Sequence, residues 1–336
     1  MTEPASARHV VEIEADSDVR LDSLLATRLD LSRTQAATLI ANGHVLVNGA
    51  RERASYRPRA ADRIEIEIPA PTARPVVAED IPLSIVYEDA HVLVVDKPAG
   101  LVVHPAPGNW TGTLVNALKG RGGELSAGAG PGREGIVHRL DKETSGLLLV
   151  AKSDRAHRIL GAALAHRRIV RRYAALCWGH LRSDRETVEA PIARDPRNRK
   201  RMAVVSTGRG ARTDFVRLAR FDSCELLRAH LHTGRMHQIR VHLASIGHPV
   251  VGDDTYGGGG GRRLVGLPPQ RHFLHAAWLS FRHPESGKVV TLRSPLPEDL
   301  RRSLATVAEM PELLNDPDPL ERFAFFSPAD PPRDDG

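Results

Sequence analysis

Three prolines in seven residues, Pro69-Ala-Pro-Thr-Ala-Arg-Pro75, interrupt this chain early and constrain it more than any other feature. Proline fixes φ and gives no N–H to a helix or sheet, and little else in this run could pack. The stretch reads as a semi-rigid linker, so the residues on each side must close their own core. A length of 336 residues agrees with two domains. The expected division is a flexible N-terminus (1–15), a small module (16–70), a linker (71–80), a large domain (81–308) and a tail without fixed structure (309–336).

The small module carries local helix and turn signals. Ser32 precedes Gln35 by three residues, a capping-box spacing, with Ala36, Leu39 and Ile40 following and Gly43 placed to end the helix. His44-Val-Leu-Val-Asn-Gly49 reads as a strand running into a turn, and residues 63–68 alternate charged and apolar side chains as a second strand. Beyond the linker, short β-rich stretches at 84–87, 91–95, 135–137, 147–151, 172–178, 223–232, 273–281 and 289–292 are interspersed with helical patterns at 113–118, 156–166 and 237–246. That irregular alternation predicts an α+β fold rather than a regular βαβ series.

Charge narrows the function. The last 28 residues hold eight acids and two arginines, a net of −6, which leaves +12 on the rest of a chain whose total is +6. Only six of its 47 cations are lysines. A basic, arginine-dominated body suits a polyanion, since the guanidinium fork matches phosphate and base edges. Two bursts stand out: 167–172, and 194–212 with seven cations against one acid. Each reads either as a solvated charged face or as a polyanion-gripping surface. No apolar run approaches the length of a membrane span, and the acidic start lacks a secretory pattern, so a soluble cytoplasmic protein is expected. Two cysteines, Cys177 and Cys224, provide neither a disulfide framework nor a four-cysteine zinc site.

Two tempting motifs do not survive their physics. Gly130-Pro-Gly-Arg-Glu-Gly135 spells GxGxxG, but a glycine-rich loop precedes it where a strand is needed, and β-rich residues follow in place of a helix. Histidines 230, 232, 237, 242 and 248 fall within 19 residues, yet His237 and His242 are five apart and so off a common helical face. With no HExxH and no Cys–His ligand spacing, no metal is expected. The informative segment is 135–152, where His138-Arg-Leu-Asp141 ends one apolar stretch and Glu143-Thr-Ser-Gly146 opens another. A carboxylate among cations at a loop between two such stretches is a common place for function, or else a turn former.

This segment resembles the HRLDxxTSG motif of RNA pseudouridine synthases of the RluA/RluD family. The resemblance extends through 87–104, 112–118, Arg172-Tyr-Ala-Ala-Leu176, His232-Thr-Gly-Arg-Met-His-Gln-Ile-Arg-Val-His242, 247–256 and Leu274-His-Ala276, in the family's order. Residues 19–68 are similar to the S4 RNA-binding module, notably at Leu31-Ser-Arg-Thr34 and 43–49. There are two departures: His232 and Met236 stand where the family often has Glu and Thr, and Ala61-Asp62 where the module often has Gly-Asp. The resemblance implies a mixed, largely antiparallel central sheet, with the S4 module as a small α+β unit. It implies Asp141 as the acting carboxylate, Arg235 as its cationic partner, and Tyr173 as the base or stacking residue. Arg139 and His138 would take part in base flipping, and Leu274 and Arg240 would line the pocket. Arg33, Arg197, Arg199, Lys200 and Arg201 would contact RNA. The implied reaction needs no metal or cofactor. The expected substrate is large-subunit ribosomal RNA, with transfer RNA the alternative and a non-catalytic RNA-binding protein a more distant one. A monomer is expected.

Overall fold

The computed structural model describes residues 7–29, 31, 33–68, 75–261 and 265–327. The chain divides into two units, Met1–Arg74 and Pro75–Gly336. The prolines and alanines at 69–74, and the Ser32–Gln35 capping pair, lie outside what is described, Gln35 by its side chain.

In the first unit, β3 (Arg63–Ile68) is the middle strand, pairing antiparallel with β1 (Ala7–Glu12) and β2 (Val45–Val47). Its charged-apolar alternation places Ile64 and Ile66 inward, against Leu21 and Leu25 of α1 (Leu21–Arg28) and Ala36 and Ile40 of α2 (Arg33–Ala41). The flexible N-terminus expected at 1–15 is therefore corrected from residue 7 onward, residues 1–6 lying outside the description. Residues 7–12 pair along the whole of β3, because a two-stranded β2–β3 ribbon would leave one edge of the middle strand unbonded. Asp62 is buried and accepts from Tyr56 Oη (2.7 Å), Asn48 Nδ2 (2.8 Å) and Arg59 N (2.8 Å), closing the loop before β3. Ala61 has φ +67°, the left-handed region that favours glycine, which accounts physically for Gly-Asp being common at this place.

The second unit is built on a nine-stranded sheet. Its strands are β4 (Ser84–Glu88), β5 (Val92–Lys97), β6 (Ser145–Ala151), β7 (Val170–Trp178), β8 (Arg185–Glu189), β11 (Arg212–Arg220), β12 (Cys224–Leu231), β13 (Leu274–Arg282) and β14 (Val289–Arg293). The order is β4-β5-β6-β13-β7-β12-β11-β8, with β14 beside β13. Every pairing is antiparallel except β6 with β13, which makes the sheet mixed and mostly antiparallel. A separate hairpin of β9 (Ile192–Arg194) and β10 (Met202–Val204) carries the cations at 197–201 in its loop. The helices are α3 (Leu114–Arg121), α4 (Asp154–Ala165), α5 (Gln238–Ser245) and α6 (Glu298–Ala308). Residues 135–137 make only one bridge, Ile136 to Val150.

Central strand β7 shows how the sheet divides the interior. Tyr173, Ala175 and Cys177 face one core with Leu114, Leu140 and Leu274. Ala174 and Leu176 face another with Leu300, Leu304, Leu313, Leu320 and Phe325. Four residues of the second core, Leu313, Leu320, Phe325 and Phe326, come from the tail, and the expectation of an unstructured 309–336 is corrected for residues 309–327. Apolar residues outweigh the acids there in what they bury. Arg172 Nη1 donates to Ser327 O (3.1 Å), and Arg228 Nη1 donates to Phe325 O (2.9 Å). Residues 328–336 lie outside the description.

Residues 75–80, expected as linker, are also bound to this unit. Asn116 Nδ2 donates to Val77 O (2.8 Å), and the Glu79 carboxylate accepts from Gly112 N at 3.0 Å. Among the described residues no helix is long and apolar enough to cross a membrane.

Candidate active site

Asp141 sits in the loop before β6, and the residues after it fasten that loop to β13. Thr144 Oγ1 shares a hydrogen bond with His272 Nε2 (2.9 Å), and Ser145 Oγ with His275 Nδ1 (2.9 Å). Gly146, at φ +111°, pairs in parallel with Ala276. A Cβ there would lie 2.4 Å from the Ala276 carbonyl oxygen, so only glycine permits this approach. Arg271 donates to Glu143 O and, at 2.8 Å, to Ser145 Oγ. Beneath the loop, the buried Lys97 ammonium donates to the carbonyls of Pro98 (2.7 Å), Leu101 (2.9 Å) and Lys142 (3.0 Å). The Asp141 backbone is thereby held from both sides.

The carboxylate itself is held by Arg240. Its Nη1 donates to Asp141 Oδ2 at 2.9 Å, while Nε and Nη2 form a fork with Asp253 at 2.7 and 2.9 Å. That fork leaves one guanidinium edge for Asp141, with the ring of Tyr256 5.1 Å away. His237 stands three residues earlier, one turn away on the same side, with Nε2 3.9 Å from Asp141 Oδ1 and Nδ1 2.8 Å from Tyr256 Oη. Burial alone would raise the Asp141 carboxyl, but His237 and Arg240 overcome it and hold it down to about 2. Burial lowers His237 below its ordinary value, so at neutral pH the lasting counter-charge is Arg240. Asp141 is therefore ionised throughout the physiological range.

This corrects the expectation that Arg235 partners the aspartate. Arg235 lies in the turn before α5, half-buried, and its Nε donates to Gly210 O at 3.1 Å. Gln238 fixes that turn by accepting from Arg235 N (2.9 Å) and Thr233 Oγ1 (2.7 Å). Arg240, one turn inside the helix, is the arginine that reaches the carboxylate. Arg235 still lines the cleft and, with Asp141 and Tyr173, the smaller pocket beside it.

Tyr173 and Leu274 come to the same place from the paired strands β7 and β13, and both are buried beside Asp141. Burial raises the Tyr173 hydroxyl above its ordinary value, so it is a neutral phenol at physiological pH. The cleft in front of these residues has a volume of about 600 Å³, the size of a ligand site rather than a packing void. Arg139 stands exposed on its wall, as a residue entering a stack of bases must. His138 does not stand out in this way. It is buried, and its Nε2 accepts from Leu149 N at 3.1 Å, with burial lowering it to about 3. This bond braces β6, and His138 also lines the cleft.

The expected RNA-contacting cations divide in two. Arg33 is exposed and its Nε donates to Asp22 Oδ2 at 3.0 Å; Arg201 is tied to Asp195 at 2.6 Å. Arg197, Arg199 and Lys200 are exposed in the β9–β10 loop. Of the clustered histidines, His230 and His232 approach Asp214, all three ligand atoms lying within 4.8 Å of one another. Asp214 is already engaged there, by His232 Nε2 at 2.6 Å and Thr187 Oγ1 at 3.0 Å. Sequence reasoning missed His237, Asp253, Tyr256, Lys97 and Arg271, although the first three stand inside the late motif it singled out.

The geometry agrees with what the chain resembles. Residues 91–245 match the family model described as RNA pseudouridylate synthase, and 19–64 match the S4 domain. An uncharacterised RNA pseudouridine synthase of Bacillus subtilis is 45% identical over 85% of this chain and 93% of its own length. A ribosomal large subunit pseudouridine synthase D of Zymomonas mobilis is 46% identical over 84% and 92%. Among solved structures, human RNA pseudouridylate synthase domain containing 1 superposes with a TM-score of 0.53 at 30% identity, covering 72% of this chain and 98% of that one. Identity this high along nearly the full length of such relatives leaves one conclusion: the chain belongs to the RNA pseudouridine synthases, in the form that carries an S4 domain ahead of the synthase domain.

Proposed function

We propose that this enzyme converts uridine to pseudouridine in large-subunit ribosomal RNA, with Asp141 as the acting carboxylate. The reaction breaks the N1–C1′ bond, turns the base and joins C5 to C1′; C5 loses its proton and N1 takes one up, with no net oxidation. The observation that carries the reading is the ionised Asp141, held by a forked arginine beside a buried tyrosine at the base of an arginine-lined cleft. Each route open to such a carboxylate, attack on ribose or base or removal of a proton from C2′, requires it ionised. Tyr173, a neutral phenol against the pocket wall, stacks on the uracil and is placed to relay the C5 proton. The target must leave the RNA stack, at a cost of a few kcal/mol, and the planar guanidinium of Arg139 fills the space left behind. The ribosomal substrate is supported by relatives named ribosomal large subunit pseudouridine synthase D.

The test is pseudouridine mapping of total RNA from cells with the gene, without it, and complemented with Asp141→Asn. The amide keeps the shape but can neither attack nor take a proton. The expected result is loss of signal at one or a few large-subunit positions in both mutant strains. A signal lost only from transfer RNA would move the substrate, and full activity of Asp141→Asn would refute the site.

A further inference from the structure

Arg171 is a buried cation without a counter-charge. It is 6% exposed, its Nε has no hydrogen-bond partner, and it enters no ion pair among the described residues. Its neighbour Arg172 points to the other side of the sheet, stacks 4.8 Å over Trp278 and donates to Ser327 O, as a structural arginine does. The pleat of β7 instead turns Arg171 to the same side as Tyr173, two residues or ~6.6 Å along the strand, and both line the large cleft.

A buried, unpaired guanidinium is costly in a free protein, and its neighbours do not relieve it. Five arginines line the cleft, 133, 139, 167, 171 and 235, against one carboxylate, Asp141, which Arg240 already holds. Tyr173 cannot compensate, because burial keeps its hydroxyl protonated. The adjoining His138 adds a buried Nδ1 without a partner. Access is open at Gly234, where an added Cβ would come 3.1 Å from Arg171 Nη1, so any larger side chain would crowd the guanidinium.

We infer that Arg171 is an anion-binding residue, completed by a backbone phosphate of the RNA beside the nucleotide that reaches Tyr173. This rests on the reading of the cleft as the RNA-modifying site. Phosphate is the one anionic part of RNA, and an unpaired buried charge selects an anion over a base edge or a ribose hydroxyl.

The test uses the full-length enzyme, unmodified large-subunit ribosomal RNA, and the variants Arg171→Met, Arg171→Lys and Gly234→Ala. Without RNA, in chloride buffer, Arg171→Met should melt above wild type, because the unpaired charge is gone and the apolar stem stays. With RNA, Arg171→Met should raise KM about tenfold or more, with a smaller fall in kcat. Its log affinity against log salt should flatten by roughly 0.7–0.9, one phosphate contact for single-stranded or duplex geometry. Arg171→Lys should recover part of the KM, and Gly234→Ala, which keeps the charge but crowds it, should shift KM in the same direction. An unchanged salt slope with kcat lost and the pH profile displaced would overturn the inference and assign Arg171 to tuning Tyr173. A lower melting temperature for Arg171→Met would also overturn it, by revealing a hidden partner in the free protein. The binding slopes are read whether or not the RNA is turned over. A wild-type enzyme that binds but makes no pseudouridine in this RNA would therefore refute the substrate and leave the phosphate contact standing.

Discussion

At the scale of single residues, the choice between Arg235 and Arg240 decides how the carboxylate is kept ionised. Both occur in one motif, five residues apart, and sequence gives no way to know which faces Asp141 until the start of α5 is fixed. His237 at φ +56° marks that start, so Arg235 belongs to the turn and Arg240 to the helix. The consequence is measurable in the pH dependence of single-turnover rate. Arg240→Leu removes the lasting counter-charge, so burial then pushes Asp141 upward from about 2. Activity, which needs the ionised form, should be lost at a higher pH as acid is added. Leaving Asp141 and Asp253 unpaired should also cost stability, about 3–5 kcal/mol by analogy with broken buried pairs. Arg235→Ala should leave the acid limb where it is. A limb that moved with Arg235 and not with Arg240 would reverse the assignment. Asp141 itself, Tyr173 and Leu274 were legible because they sit on strands or loops whose motif is local. Asp253 and Tyr256 were not, because they act on Asp141 only through Arg240 and His237.

Among elements, the strands of the synthase domain were largely readable from apolar runs, and the helices nearly so; what could not be read was everything held by side chains from distant strands. The tail shows why. Its acids and prolines suggest disorder by composition, but composition averages over Leu313, Leu320, Phe325 and Phe326, which are spaced to fall on one core. Arg172, from a burst that reads as a solvated face or a polyanion-gripping surface, ends on the carbonyl of Ser327, and Arg228 on that of Phe325. A similar misreading made a strand of 135–137, where the real partner is a single bridge to β6. If the tail is part of the core, Phe325→Ala should lower stability by about 3–5 kcal/mol. Denaturant unfolding of the variant against wild type measures this directly, and a change below about 1 kcal/mol would mean that the tail only rests on the sheet.

For the whole molecule, the two units bury different kinds of titratable group, and acid should separate them. The synthase unit buries neutral histidines. Burial lowers His138 to about 3 and His275 to about 4, and places His272 well below the ordinary value of 6.5. In the unfolded chain these rings take up protons as pH falls through 6.5, while in the folded unit they cannot. The unfolded state therefore binds more protons between about pH 6.5 and 4, and stability falls with acid across that window. His138 and His275 each contribute up to about 1.4 kcal/mol per pH unit there, so the pair alone could remove about 3 kcal/mol per unit, a large share of a domain's margin. The S4 unit has no buried histidine among its described residues and rests on Asp22 and Asp62 instead. Hydrogen bonding from Arg20 holds Asp22 to about 2, so the stability it gives persists above pH 4 and is lost only as pH falls toward 2. Thermal melting of the full-length protein from pH 7.5 to 4 should then resolve two transitions. One, from the synthase unit, should move steeply to lower temperature between pH 6.5 and 4.5, while that of the S4 unit stays nearly still. His138→Gln, whose side chain can still accept from Leu149 N but does not titrate, should reduce the slope of the moving transition. A synthase transition that stayed level between pH 6.5 and 4.5 would mean that these histidines find room to protonate in place, and that the wall bracing β6 is softer than its packing indicates.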